Sequence, residues 1–217
     1  MKENRELKEL ALSQLSGKWV MAIIVSVVAW LLTDAFTGNG SRESASFIFA
    51  NGEWFQNRVS SAASLISFIV SGPIHFGLAA YFLGLTKNQD GNLDDLFSGF
   101  PHFGKTFLLH VLKMVFTILW AFLLIIPGII AALRYSMAYY IMNDYPEISA
   151  MEAIERSKEL MDGQKMRLFM LCLSFIGWFF VGIITLGLGF FYLMPYWNAT
   201  VANFYEDLKH SKLGYDY

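Results

Sequence analysis

Charge is scarce in this chain, and so is cysteine. Asp, Glu, Lys and Arg together make up 16% of the residues, where a soluble domain carries about a quarter. The shortfall falls in long apolar runs, and the sequence is 55% hydrophobic and 17% aromatic. That combination points away from a soluble domain and towards a membrane. The formal net charge is -2, and no basic stripe with interleaved aromatics occurs, so nucleic acid is not an expected partner. Cys172 is the one cysteine, which excludes an intrachain disulfide. Inside an apolar run it reads as a small lipid-facing or packed residue. Four scattered histidines make no metal-ligand cluster. Gly-x-Ser-x-Gly, a phosphate loop and HExxH are all missing. The expectation is a protein without metal or cofactor that is not an enzyme. Asp90, Asp94 and Asp95 around Gly91 lack the full spacing and terminal glutamate of a calcium loop and read as capping and solvation.

What is present is a series of apolar segments. About eighteen mixed-charge residues precede the first, which ends at Thr33-Asp34-Ala35-Phe36 without a clear cleavage site, so an uncleaved span over 19–35 is predicted. Before it, residues 3–15 put Leu7, Leu10, Ala11 and Leu15 on one helical face, as in a helix lying in the membrane interface. Residues 37–59 form a polar external loop whose Phe47, Ile48, Phe49, Trp54 and Phe55 either dip into the interface or pack as a small lid. A second span is predicted over 60–85 with a kink at Gly72-Pro73, and a third over 106–126, broken by Pro127-Gly128. Only a short apolar stretch to Met142 follows, a candidate half-span. Between the second and third spans, Asn92 and Asp95 suit a helix cap, with Leu93, Leu96, Phe97 and Phe100 on the apolar side. Ser149 and Glu152 form a Ser-x-x-Glu capping box. It opens an amphipathic helix within the polar segment 143–166, with Ala150, Ala153, Ile154, Ser157 and Met161 on one face. A fifth segment covers 168–186, where Gly177, Gly182, Gly187 and Gly189 would let helices approach closely. A last one covers 190–205 with Pro195, before a polar tail over 206–217.

The order repeats. Gly17-Lys18, Gly104-Lys105 and Gly163-Gln164-Lys165 each close an amphipathic stretch and open an apolar hairpin. The predicted fold is an all-α polytopic membrane bundle over 1–217. It has about six transmembrane or half-membrane segments in three hairpins, each introduced by an amphipathic interfacial helix. With the N-terminus inside, twelve lysines and arginines fall in inner segments and two, Arg42 and Arg58, in the external loop. The positive-inside rule therefore places both termini, including residues 1–18 and 206–217, in the cytoplasm.

Several stretches carry a family likeness: Ile126-Pro127-Gly128-Ile129, Arg134-Tyr135-Ser136-Met137-Ala138-Tyr139-Tyr140, Glu152-Ala153-Ile154 with Ser157, and Met161-Asp162-Gly163. Phe169 through Trp178, Pro195-Tyr196, Phe204-Tyr205 and the early Leu15-Ser16-Gly17-Lys18-Trp19 continue it. With these the chain resembles the DUF975 family, integral membrane proteins mostly of Gram-positive bacteria. More distantly it is similar to the membrane domain that precedes some bacterial glycerophosphodiester phosphodiesterases, which is not their catalytic part. The resemblance implies a fold and a membrane location and brings no activity with it.

Arg134 heads the candidate ligand-binding residues. A charge at mid-helix costs about 2.5–3.5 kcal/mol on insertion scales and calls for a partner or water. Tyr135, Tyr139 and Tyr140 surround it in sequence, and Asp34 is a candidate counter-ion. The arginine is either an anion or headgroup site or a structural group satisfied by carbonyls and tyrosines. Lys113, with His110 nearby, either faces a cavity or snorkels to the interface. His75 is either a proton relay or a helix-to-helix hydrogen bond. Three functions follow. The first is an accessory or stress-response component that binds another membrane protein or a second copy of itself. The second is a solute or lipid transporter or lipid-handling protein using a site around Arg134. The third, a membrane hydrolase, lacks convergent catalytic groups.

Overall fold

The structure is a computed structural model and describes residues 1–33, 53–185 and 187–213. Among these there are helices and no strand: α1 Asn4–Leu15, α2 Trp19–Thr33, α3 Glu53–Thr86, a 3-10 turn Leu93–Phe97, α4 Phe103–Leu123, α5 Ile125–Arg134, α6 Ala138–Asp144, α7 Ala150–Leu160, α8 Lys165–Leu173, α9 Ile176–Ile184 and α10 Leu188–Leu213. Asp34 and most of the expected 37–59 loop lie outside the described residues. The last seven positions of that loop, from Glu53, already belong to α3.

Three stretches are long and apolar enough to cross a membrane: Ser64–Thr86, Phe103–Phe122 and Lys165–Gly182. A fourth counts only if α1 and α2, bent by 103° to one another, are taken as one span. Six were expected. The fourth expected segment is divided between α5 and α6, and the fifth between α8 and α9. The last runs on as α10 through the expected polar tail to Leu213, so charged residues dilute its hydropathy.

Helix α1 shows why the bent pair is not one apolar rod. Its Leu7, Ala11 and Leu15 are fully buried against α10, and its other face carries charge. The amphipathic reading holds, but the apolar face is covered by the protein itself. In α7, Ser149 Oγ accepts a hydrogen bond from the Glu152 amide at 3.2 Å, and Ala150, Ala153, Ile154, Ser157 and Met161 are all buried, as the periodicity predicts. Asn92 caps the 3-10 turn, its amide donating to Asp95 Oδ2 at 2.8 Å. Only Leu96 of that turn's apolar side goes under, while Leu93, Phe97 and Phe100 stay exposed.

The expected proline breaks are redistributed. Helix α3 runs through Pro73 and α10 through Pro195. Gly72 serves close packing instead, since a Cβ there would sit 2.6 Å from the Thr106 carbonyl oxygen of α4. The break expected at Pro127-Gly128 falls earlier, at Leu124, which is extended with φ -167° and ψ 151°. Pro127 then stands in the first turn of α5, where a missing amide donor costs no helical hydrogen bond. The chain doubles back there, bringing Gly128 against Ala121.

The ends of α3, α6 and α10 gather with the N-terminus at one basic end. Asp144 accepts Lys87 Nζ at 2.9 Å, Lys209 Nζ at 2.7 Å and Tyr205 Oη at 2.8 Å. Lys2 donates its amide to Asp207 at 2.9 Å, and Arg167 bonds both Asp207 and the Lys2 carbonyl.

Candidate functional site

Two of the three candidate spans carry an ionisable residue at their centres. His75 is the middle residue of Ser64–Thr86, and Lys113 stands midway along Phe103–Phe122. At 1.5 Å per residue each lies roughly 15 Å from either end of its span. Helix α6 brings Tyr139 between them. Its ring stacks on His75 at 5.9 Å between centroids and 19° between planes. Its hydroxyl lies 3.0 Å from His110 Nδ1. Lys113 Nζ sits 4.2 Å from the centre of the same ring, and the two imidazoles are 5.7 Å apart. His75 Nδ1 is 2.8 Å from the Ser71 carbonyl; since a carbonyl only accepts, that nitrogen carries the proton.

These groups border an open cavity of about 660 Å³ lined by α3, α4, α5, α6, α8 and α10. Most of its wall is apolar, including Met114, Ile118, Ile129, Leu133 and Trp197. No Asp or Glu lines it, and none pairs with Lys113 among the described residues. A cation at such a position costs about 2.5–3.5 kcal/mol on insertion scales. Its contact with the Tyr139 face returns up to about 2 kcal/mol when water is excluded.

Of the predicted site residues, the structure therefore unites Lys113, His75 and Tyr139. Arg134 and Tyr135 do not line the cavity. Arg134 ends α5, where a cation complements the helix dipole. Its carbonyl accepts from Ser157 Oγ at 2.7 Å, and its Nε is buried without a partner among the described residues. Tyr135 packs its ring 6.0 Å from Phe116. The expected counter-ion Asp34 is outside the described residues.

The four glycines also part company. A Cβ on Gly182 or Gly189 would collide with the facing helix of their own hairpin, at Phe190 and at Gly182 respectively. Gly187 takes φ +96° in the turn between them, and Gly177 faces open space. Tyr140, read as a neighbour of Arg134, lines the cavity instead, and Asn198 lines it without having been singled out. An amide inside the apolar run Tyr196–Thr200 was the available signal for the asparagine. Cys172, expected to be lipid-facing or packed, lies on the cavity wall.

An all-helical bundle with about three helices able to cross a membrane defines the class of the protein. The chain belongs to the DUF975 family, described as a protein of unknown function, which matches residues 1–132 and 121–212. No curated protein matches the chain. No solved structure matches it either, so the wider likeness to the phosphodiesterase-linked membrane domain rests on sequence pattern alone.

Proposed function

We propose that this is a multi-pass protein of the cell membrane, with both termini cytoplasmic, that binds an anionic amphiphile in the Lys113 cavity. The orientation is supported by the bias of lysine and arginine towards the segments between and beyond the spans. In this reading α2, α3, α4, the α5–α6 pair, the α8–α9 pair and α10 are six full or partial crossings in three hairpins. The observation that carries the ligand assignment is an ammonium at mid-span on the wall of an apolar cavity, with no carboxylate beside it among the described residues. The cavity's size is within the range of small-molecule sites, about 300–1,000 Å³. Apolar walls suit acyl chain and the lysine suits a phosphate or carboxylate. Compared with a site around Arg134, the lipid-handling function is retained and its centre moves to Lys113.

The test is extraction of tagged protein from its own membrane into polymer-bounded discs, followed by mass spectrometry of what comes with it. An anionic lipid enriched over the bulk membrane, and lost in Lys113→Gln, supports the assignment. A stoichiometric membrane protein with no lipid enrichment supports the accessory-component function instead.

A further inference from the structure

A second, smaller cavity of about 180 Å³ adjoins the first between α2, α3 and α10. The two share His75, Leu78 and Asn198, so these three residues form the partition. The character of the small chamber differs from that of the large one. It carries no formal charge among its lining residues, and its polar groups are Ser26, Thr33, His75 and Asn198, with the indole of Trp30 beside them. Ser26 is 4% exposed, and its hydroxyl has no hydrogen-bond partner among the described residues. Asn198 donates Nδ2 to the Met194 carbonyl at 3.0 Å, and its side-chain oxygen has no hydrogen-bond partner among the described residues. A buried hydroxyl without a partner costs about 1–3 kcal/mol. Such groups in native proteins call for a ligand or ordered water.

We infer that the small chamber is a hydroxyl-recognising subsite, and that the ligand of the Lys113 cavity is an anion bearing a polyol headgroup. This rests on the proposed anion site at Lys113. The phosphate lies at Lys113 and His110, and the headgroup hydroxyls pass the His75 edge to meet Ser26 and the Asn198 oxygen. Ser26 and Asn198 supply complementary chemistry. A serine hydroxyl both donates and accepts, and the amide oxygen accepts, so a vicinal diol satisfies both. An ammonium headgroup finds no carboxylate among the described lining residues. The chamber's volume admits a three-carbon polyol.

The experiment compares two lipids of equal charge in phosphatidylcholine discs: phosphatidylglycerol, which carries the diol, and phosphatidylmethanol, which does not. Native mass spectrometry reads the bound ratio for the wild type, Ser26→Ala, Asn198→Leu and Lys113→Gln. Wild type is expected to prefer phosphatidylglycerol by about tenfold, the worth of one satisfied hydrogen bond of about 1.4 kcal/mol. Ser26→Ala and Asn198→Leu each reduce that preference to about twofold or less while phosphatidylmethanol binding persists. Lys113→Gln weakens both lipids. Competition by soluble glycerol phosphate supports the subsite with a free polyol phosphate as ligand, and its failure to compete supports a lipid source. Equal wild-type binding of the two lipids overturns the subsite and leaves the Lys113 site standing, as does a preference unmoved in both chamber variants. If neither lipid binds and glycerol phosphate does not bind, both the subsite and the anion site fall.

Discussion

Replacing Asp144 by alanine tests the basic end of the bundle more sharply than any other single change. The carboxylate side chain is 8% exposed and ties the end of α6 to two other elements through three donors: Lys87 after α3, and Tyr205 and Lys209 in α10. Lys87 is 40% exposed, so its share is that of a surface pair, about 0–1 kcal/mol. Lys209 is only 12% exposed. Breaking a buried pair from one side costs about 3–5 kcal/mol, and the lower end applies because Lys209 lies near the end of α10 and its ammonium has a short route to water. The expected loss is about 3 kcal/mol, or roughly 6–12 °C in Tm for a chain of this size. Burial alone would raise the Asp144 pKa, but the hydrogen bonds from Lys209, Lys87 and Tyr205 outweigh it and hold the group below the usual carboxylate range. A depressed carboxylate stabilises the fold above its unfolded value, near 3.9, and that stabilisation is lost as pH falls through the folded value. Burial lowers the Lys209 pKa, and the bond to Asp144 more than reverses this. Its contribution is therefore full below the unfolded lysine value of about 10.4 and is lost as pH rises through the folded one. The assay is thermal unfolding in mild detergent, followed by tryptophan fluorescence from about pH 2 to about pH 12, so that both losses fall inside the window. Asp90→Asn is the control, because Asp90 pairs with Lys18 at 2.7 Å while itself 92% exposed, and no measurable shift is expected. If Asp144→Ala melts within about one degree of wild type at pH 7, the three-element latch is not what holds this end together.

Gly77→Ala should cost about 3 kcal/mol, at the upper end for overpacking, because the new methyl would land on the Leu96 backbone carbonyl; low yield of folded protein in detergent is the readout, and wild-type stability would refute the close approach. Ser157→Ala removes the hydrogen bond from Ser157 Oγ to the Arg134 carbonyl and should cost about 1 kcal/mol, read as a small Tm decrease without change in lipid binding. Cys172 lines the large cavity, so its alkylation by a small maleimide should slow several-fold when an anionic lipid is bound; an unchanged rate at saturating lipid would place the ligand elsewhere.

Local signals were legible in the sequence where the physics is local. The Ser149–Glu152 cap and the buried face of α7 follow from spacing within one helix, and both are present. A kink was read at Gly72-Pro73 and an interruption at Pro195, and the helix is continuous through both prolines. An interior proline removes one hydrogen bond, and packing against neighbouring elements can outweigh that loss. In α3 the neighbour is the start of α4, pressed against Gly72, a contact between residues more than thirty positions apart. Near Pro127 the rule points the other way. Proline is tolerated in the first turn of a helix, so the break belongs before it, at Leu124, where the backbone is extended.

The candidate site was legible as separate residues but not as a constellation. Lys113, His75 and Tyr139 each stood out as polar groups within apolar runs, and the centre was assigned to Arg134 because it carries full charge beside several tyrosines. The fold ends α5 at that arginine and folds α6 back, so Tyr139 turns towards His75 and His110 while Arg134 is carried to α7, where its carbonyl meets Ser157. One helix break thus separates two residues five positions apart into different environments, and periodicity within a single apolar run does not contain that break. A mid-run charge identifies a group needing compensation, and only the packing reveals which of several such groups goes without. Arg134 finds the carboxyl end of a helix, whereas Lys113 has only an aromatic face. Among the described residues no carboxylate stands on the cavity wall, which is why the ligand argument settles on Lys113.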